Sequence, residues 1–224
     1  MQEKSLYNVN TAGMESVVST NKVLKNTYML LGMTLLFSAV TAGVSMAVGL
    51  GHGAALVLTL VGFGLLFVVN RLADTSKGLL AIFAFTGVMG ASIGPLLNYY
   101  LSMPGGSALV MQALGGTALV FFGLSAYALS TRKDFSYMGG FLMVGLLVAV
   151  VAMIANIFLN IPALSLTISA AVVMIMSGLI LFDTSRIING GETNYIRATV
   201  GLYLSIYNLF LHLLHLLTAL GGDD

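Results

Sequence analysis

The stretch that decides the fold reads SGLILF (177–182), DTSRIINGGETNYIR (183–197) and ATVGLYLSIYNLF (198–210). Two apolar runs flank a polar centre. That centre holds Asp183, Arg186, Glu192 and Arg197, in a chain with only nine Lys/Arg and eight Asp/Glu among 224 residues. Charge this scarce is placed rather than scattered. The stretch reads as a hairpin between two apolar helices. It is the expected gate or contact region of a polytopic membrane protein, on the side where Lys and Arg collect.

The rest of the chain supports a membrane reading. It is 58% hydrophobic and 8% charged, with mean hydropathy +0.99. A soluble domain carries about 25% charged residues, so most of this surface must face lipid. A net charge of +1 argues against a nucleic-acid partner. With no cysteine, disulfides, thiolate metal sites and a cysteine nucleophile are excluded. Trp is also absent, so an interfacial aromatic belt must draw on the nine Tyr.

Seven apolar runs are each long enough to span, since a spanning helix needs roughly 20 residues. They fall near 26–49, 54–72, 78–101, 108–130, 138–160, 163–183 and 196–220. Charge spacing gives the same count. No Lys or Arg occurs between Lys25 and Arg71, between Lys77 and Arg132, or between Lys133 and Arg186. Each interval accommodates two spans and a short turn, and one more span fits after Arg197. All nine basic residues therefore lie in the N-terminal segment or in the loops near 71–77, 131–137 and 184–197. By the positive-inside rule these face the cytoplasm. The expectation is an all-α polytopic membrane protein with its basic loops at the cytoplasmic face. It has a polar cytoplasmic tail over 1–25, a seven-helix domain over 26–220 and a short outer tail over 221–224. The tail has no 7–15-residue apolar core and is not a cleaved signal peptide. Gly87, Gly90, Gly94, Gly115 and Gly116 predict closely packed helices. Pro95 predicts a kink in the third.

Asp183 is the first candidate for function. If the sixth helix continues to Ile188, Asp183 lies about 7–8 Å inside it at 1.5 Å per residue. An ionisable group there needs a partner or water. Arg71, Arg186 and Arg197 are the available cations. Arg71 reads either as a snorkelling anchor or as a latch to Asp183. Asn208, with Tyr203 and Tyr207, reads as interhelical glue or as the lining of a polar pathway. His212 and His215 share a face, but no Cys or carboxylate accompanies them within the span, so no metal site is expected. Gly123-Leu124-Ser125 superficially matches a serine-protease motif. Ser125 lies near the inner end of its helix and His212 in the outer half of another, roughly 10–20 Å apart in depth by helical rise. A nucleophile and its base must touch, so no catalytic residues and no enzyme activity are expected.

Several stretches carry a family resemblance: KVLKNTYMLL (22–31), LGGTALVFF (114–122), TRKD (131–134), ANIF (155–158), and GGETNYIRATV (190–200) followed by LYLSIYNLF. With seven spans and a small inner hairpin, the chain resembles the Bax inhibitor-1 family, nearest its bacterial YccA branch. The resemblance implies a central last helix. It also implies, for some members, a pH-sensitive calcium leak in which two aspartates near the cytoplasmic end share a proton. The first matches Asp183; the position of the second holds Ser205, which cannot share a proton as a carboxylate does. Arg71 matches the latching arginine. Calcium would be a transient ion here, and no resident cofactor is implied. The YccA branch implies a partner, the membrane-anchored ATP-dependent protease FtsH, for which the chain would be substrate and modulator. The tail 1–25 is where that protease would begin. The sequence leaves the oligomeric state open.

Overall fold

The computed structural model describes residues 2–221, with side chains described from Thr20 onward. The described residues form seven helices and no strand. These are α1 (Gln2–Val48), α2 (His52–Leu72), α3 (Gly78–Leu101), α4 (Gly106–Thr131), α5 (Gly139–Leu159, entered through a 3-10 turn at Ser136–Met138), α6 (Pro162–Ile188) and α7 (Tyr195–Gly221). Each contains a window long and apolar enough to cross a bilayer. The lipid-facing surface follows directly: Phe158 on α5 is 82% exposed and Leu119 on α4 is 77% exposed. In water such a surface would be an aggregation site.

Two elements run beyond the expected spans. The sixth continues to Ile188, which places Asp183 five residues inside its end. The first begins at Gln2 rather than near Asn26. Nothing between Gln2 and Lys25 breaks a helix, because the segment lacks proline, and a helix nucleated in the span propagates backward at little cost. The side chains of 1–19 lie outside the described residues, as does the expected outer tail beyond Gly221.

α7 packs against every helix except α5, as a central last helix should. α3 is equally well buried, from Ala81 to Pro95 along most of its length, and α-helical structure passes through Pro95 without a break. α3 can be so central because its glycines let α1 lie against it. A Cβ on Gly87 would strike the Phe37 ring, one on Gly90 the Ser38 carbonyl and Thr41 hydroxyl, and one on Gly94 the Ser45 hydroxyl. Without hydrophobic force between helices in lipid, such close backbone approach supplies the packing energy. Where α1 and α4 diverge they leave an apolar cleft of about 510 Å³ floored by Tyr203, Tyr207 and Phe210. α5 is the outlier. It touches only α6 and the 3-10 turn before it.

Candidate functional site

The site is built at the end where the basic loops gather. Asn194 closes the hairpin. Its Oδ1 accepts the amide protons of Ile196 (2.8 Å) and Arg197 (3.1 Å), capping α7. Its Nδ2 donates to the Ala73 carbonyl (2.9 Å) and to Asp74 Oδ1 (2.8 Å) in the α2–α3 loop. Glu192 in turn accepts the Asn194 amide at 2.9 Å. Arg197 forms an ion pair with Asp74, and Arg186 sits 3.6 Å from Glu192 and over the Phe182 ring at 5.4 Å. Gly190, at φ +74°, makes the turn that lets the Gly191 and Glu192 amides return to the Arg186 carbonyl.

The α4–α5 loop is tied in separately. Ser185 Oγ accepts the Phe135 amide at 2.9 Å and donates to the Lys133 carbonyl at 3.0 Å. Asn189 donates to Ser185 Oγ at 3.2 Å. Asp134, in that loop, is held below the ordinary carboxylate range by the Ser136 side chain and amide. The two sides of the hairpin, Ser185 on α6 and Asn194 before α7, are thus bolted to the two neighbouring basic loops.

Beneath this layer stands Asp183. No ion pair or hydrogen bond joins it to Arg71, Arg186, Arg197 or Ser205 among the described residues. Arg197 has gone to Asp74 and Arg186 to Glu192. Arg71 is exposed in the last turn of α2 and does not latch Asp183. Two of the three cations named from sequence proximity, Arg186 and Arg197, were drawn to carboxylates nearer the water, where an ion pair avoids desolvating its partner. Instead, the Asp183 carboxylate lies over Gly201 of α7, so close that a Cβ there would come within 2.8 Å of Oδ2. Gly201 went unnoticed in the sequence. Its signal was its position one turn before Ser205 on the same face.

Gly201, Ser205, Asn208, His212 and His215 recur at spacings of four and three, and share one stripe of α7. Ser205 is buried at 2% exposure. Asn208 donates back to the Leu204 carbonyl at 2.8 Å and lines a cavity of about 300 Å³ with Ser92 and Tyr207, between α2, α3 and α7. The tyrosines on the neighbouring faces act as glue. Tyr203 Oη meets Ser38 Oγ at 2.8 Å, and Tyr207 Oη meets Ser92 Oγ at 3.2 Å. At the outer end, His212 and His215 both hydrogen-bond Ser169, at 3.1 and 2.9 Å. His212 is therefore engaged far from Ser125, whose buried hydroxyl has no partner. No group of three ligating side chains occurs among the described residues.

What this arrangement offers chemically is a carboxylate near one membrane face, held over a glycine, under a layer of linked loops. Comparison with known proteins adds to that geometry. A family model described as "Inhibitor of apoptosis-promoting Bax1" (Bax1-I) matches residues 20–222. The chain is 56% identical over 203 residues to the Escherichia coli K12 "Modulator of FtsH protease YccA", covering 90% of this chain and 92% of that one. It is 48% identical to an uncharacterized membrane protein of Vibrio cholerae over 96% of each chain. Over the full length of both, it is 46% identical to an uncharacterized protein of Pseudomonas aeruginosa.

Proposed function

The chain belongs to the Bax1-I family, and from that membership we propose that it is an integral protein of the bacterial inner membrane that serves as substrate and modulator of the FtsH protease. The 56% identity to the Escherichia coli modulator, over nearly the whole of both chains, carries this reading. The chain's architecture suits it. α1 begins at Gln2, and its apolar window begins at Thr20. The stretch between would project about 27 Å from the span at 1.5 Å per residue, a terminal segment of the kind on which proteolysis begins. Deleting residues 1–20 is expected to lengthen the protein's half-life several-fold in membranes with active FtsH, with no change in membranes lacking it. Pull-down of the protease should weaken in parallel. Unaltered turnover together with no co-purification of FtsH would overturn the reading.

A second reading rests on a different observation, the Asp183 carboxylate standing over Gly201 without an ion-pair partner. It makes the bundle a calcium or proton leak controlled by Asp183 at the cytoplasmic end. Ser205 occupies the position where a second carboxylate would share a proton, so control falls on Asp183 alone. In proteoliposomes a leak governed by this carboxylate should differ between about pH 6 and about pH 8. Asp183→Asn should abolish that difference. Flux indifferent to both pH and substitution would eliminate the leak reading and leave the protease reading standing.

A further inference from the structure

The outer end of the bundle holds a cluster that neither reading uses. A cavity of about 380 Å³ opens there between α3, α5, α6 and α7. Its polar lining is Tyr100, Asn156, Ser165, Ser169, His212 and His215. Ser169 is buried at 3% exposure and is the shared partner of both histidines.

One hydroxyl between two imidazole Nδ1 atoms limits their protonation. Ser169 has a single proton to donate, so at most one Nδ1 accepts it and at least one ring donates its Nδ1–H to Oγ. That ring, while neutral, carries a lone pair on Nε2. A proton arriving through the cavity adds to that lone pair. The bond to Ser169 is not disturbed. That Nε2 then carries an N–H donor, and the cluster bears one positive charge.

The surroundings decide what that charge attracts. No Asp, Glu, Lys or Arg occurs in 26–70, 78–131, 135–182 or 198–221, so the outer halves of all seven helices are without fixed charge. Tyr100 is the one titratable group that α3 turns to the cavity, and α5 and α6 contribute none. Asp223 and Asp224, the last two residues of the chain, are the nearest carboxylates in sequence. A cation formed here gains its counter-ion from outside the bundle. The donors around it, two imidazoles with the Tyr100 and Ser165 hydroxyls and the Asn156 amide, suit an oxyanion with several acceptor atoms.

We propose that this cavity is an acid-activated site for a phosphate-type oxyanion: proton uptake by the Ser169-bridged His212–His215 pair creates a cationic floor that holds either the phosphodiester of a lipid headgroup or a free phosphate. The test uses full-length protein, labelled with ¹⁵N-histidine, in phosphate-free maltoside micelles. Dimethyl phosphate is the probe, because it keeps one charge at all the pH values used. At about pH 5.5 it should shift the ring signals of His212 and His215 but not those of exposed His52 at the start of α2. At about pH 8 it should bind at least tenfold more weakly. Ser169→Ala and His212→Gln should each weaken binding roughly tenfold, the loss expected of one charge-assisted hydrogen bond. Unchanged His52 signals in these variants show that the bundle is intact. Phosphatidylglycerol that competes more strongly than inorganic phosphate identifies the headgroup as the source; the reverse order identifies the free ion. No response at either pH, or equal binding at both, overturns the proposal. So does a response that appears only after Asp223 and Asp224 are removed, which would make the chain's own C-terminus the occupant.

Discussion

Gly90→Ala is expected to lower the stability of the bundle by about 3 kcal/mol, the upper range for overpacking a well-filled interface, whereas Gly64→Ala should leave it unchanged or slightly firmer. The chemical change is the same at both positions. At Gly64 a new methyl meets nothing within 4 Å, so only the helix-propensity gain of up to about 1 kcal/mol operates. At Gly90 the methyl meets the backbone carbonyl of Ser38, with the Ser38 and Thr41 hydroxyls beside it. A carbonyl cannot rotate away as a side chain can, so α1 must lift from α3. Lifting also strains the 2.8 Å bond from Ser38 Oγ to Tyr203 Oη, which ties α1 to α7. Thermal unfolding in mild detergent reads the contrast. Equal midpoints for the two variants would refute the claim that the α1–α3 approach is backbone-limited.

Asn194→Ala is expected to cost about 2–3 kcal/mol, counting about 1 for a lost helix cap and about 1 for each lost bond to the α2–α3 loop. Asn194→Asp separates these contributions. The carboxylate can still accept the Ile196 and Arg197 amides, but it cannot donate to Ala73 and stands beside Asp74. Its stability should fall between wild type and the alanine variant. Hydrogen exchange at 73–77 should rise in both variants, while exchange at the first turn of α7 rises only in Asn194→Ala. Unaltered exchange at 73–77 would mean that the loops are not joined through this residue.

Of these two residues, Gly90 was legible in the sequence as a packing glycine and Asn194 was not. The helices were readable because basic residues cluster in the N-terminal segment and three loops and nowhere else, so span number and pairing followed from spacing alone. The apolar run carried α6 only to about 183; its continuation to Ile188, and with it the depth of Asp183, was conditional until the fold showed it. The inner hairpin stood out as a motif, yet Asn194 inside it did not. Its partners Ala73 and Asp74 are more than a hundred residues away, and no local pattern announces them. The same distance hid the choice of ion pairs. Arg197 was an available cation for Asp183 in one dimension, and only the folded α2–α3 loop brings Asp74 to it. Ser169 likewise has no periodic signature that points to His212 and His215, 43 and 46 residues on. Gly201 was silent for another reason. A glycine in an apolar helix signals close packing in general, and which group packs on it depends on the neighbour.

The close seam between α1 and α3 bears on how the chain comes apart under load. A pull on the N-terminus acts along the axis of α1, parallel to its contacts with α3. Force in that direction shears the seam, so the steps at Phe37–Gly87, Ser38–Gly90 and Ser45–Gly94 resist together rather than opening in succession. Peeling from the other edge is different, because α5 grips a single helix. The molecule is mechanically polar, stiff where its N-terminus would be drawn and weak at its flank. A motor pulling on the first helix must take the strongest joint first.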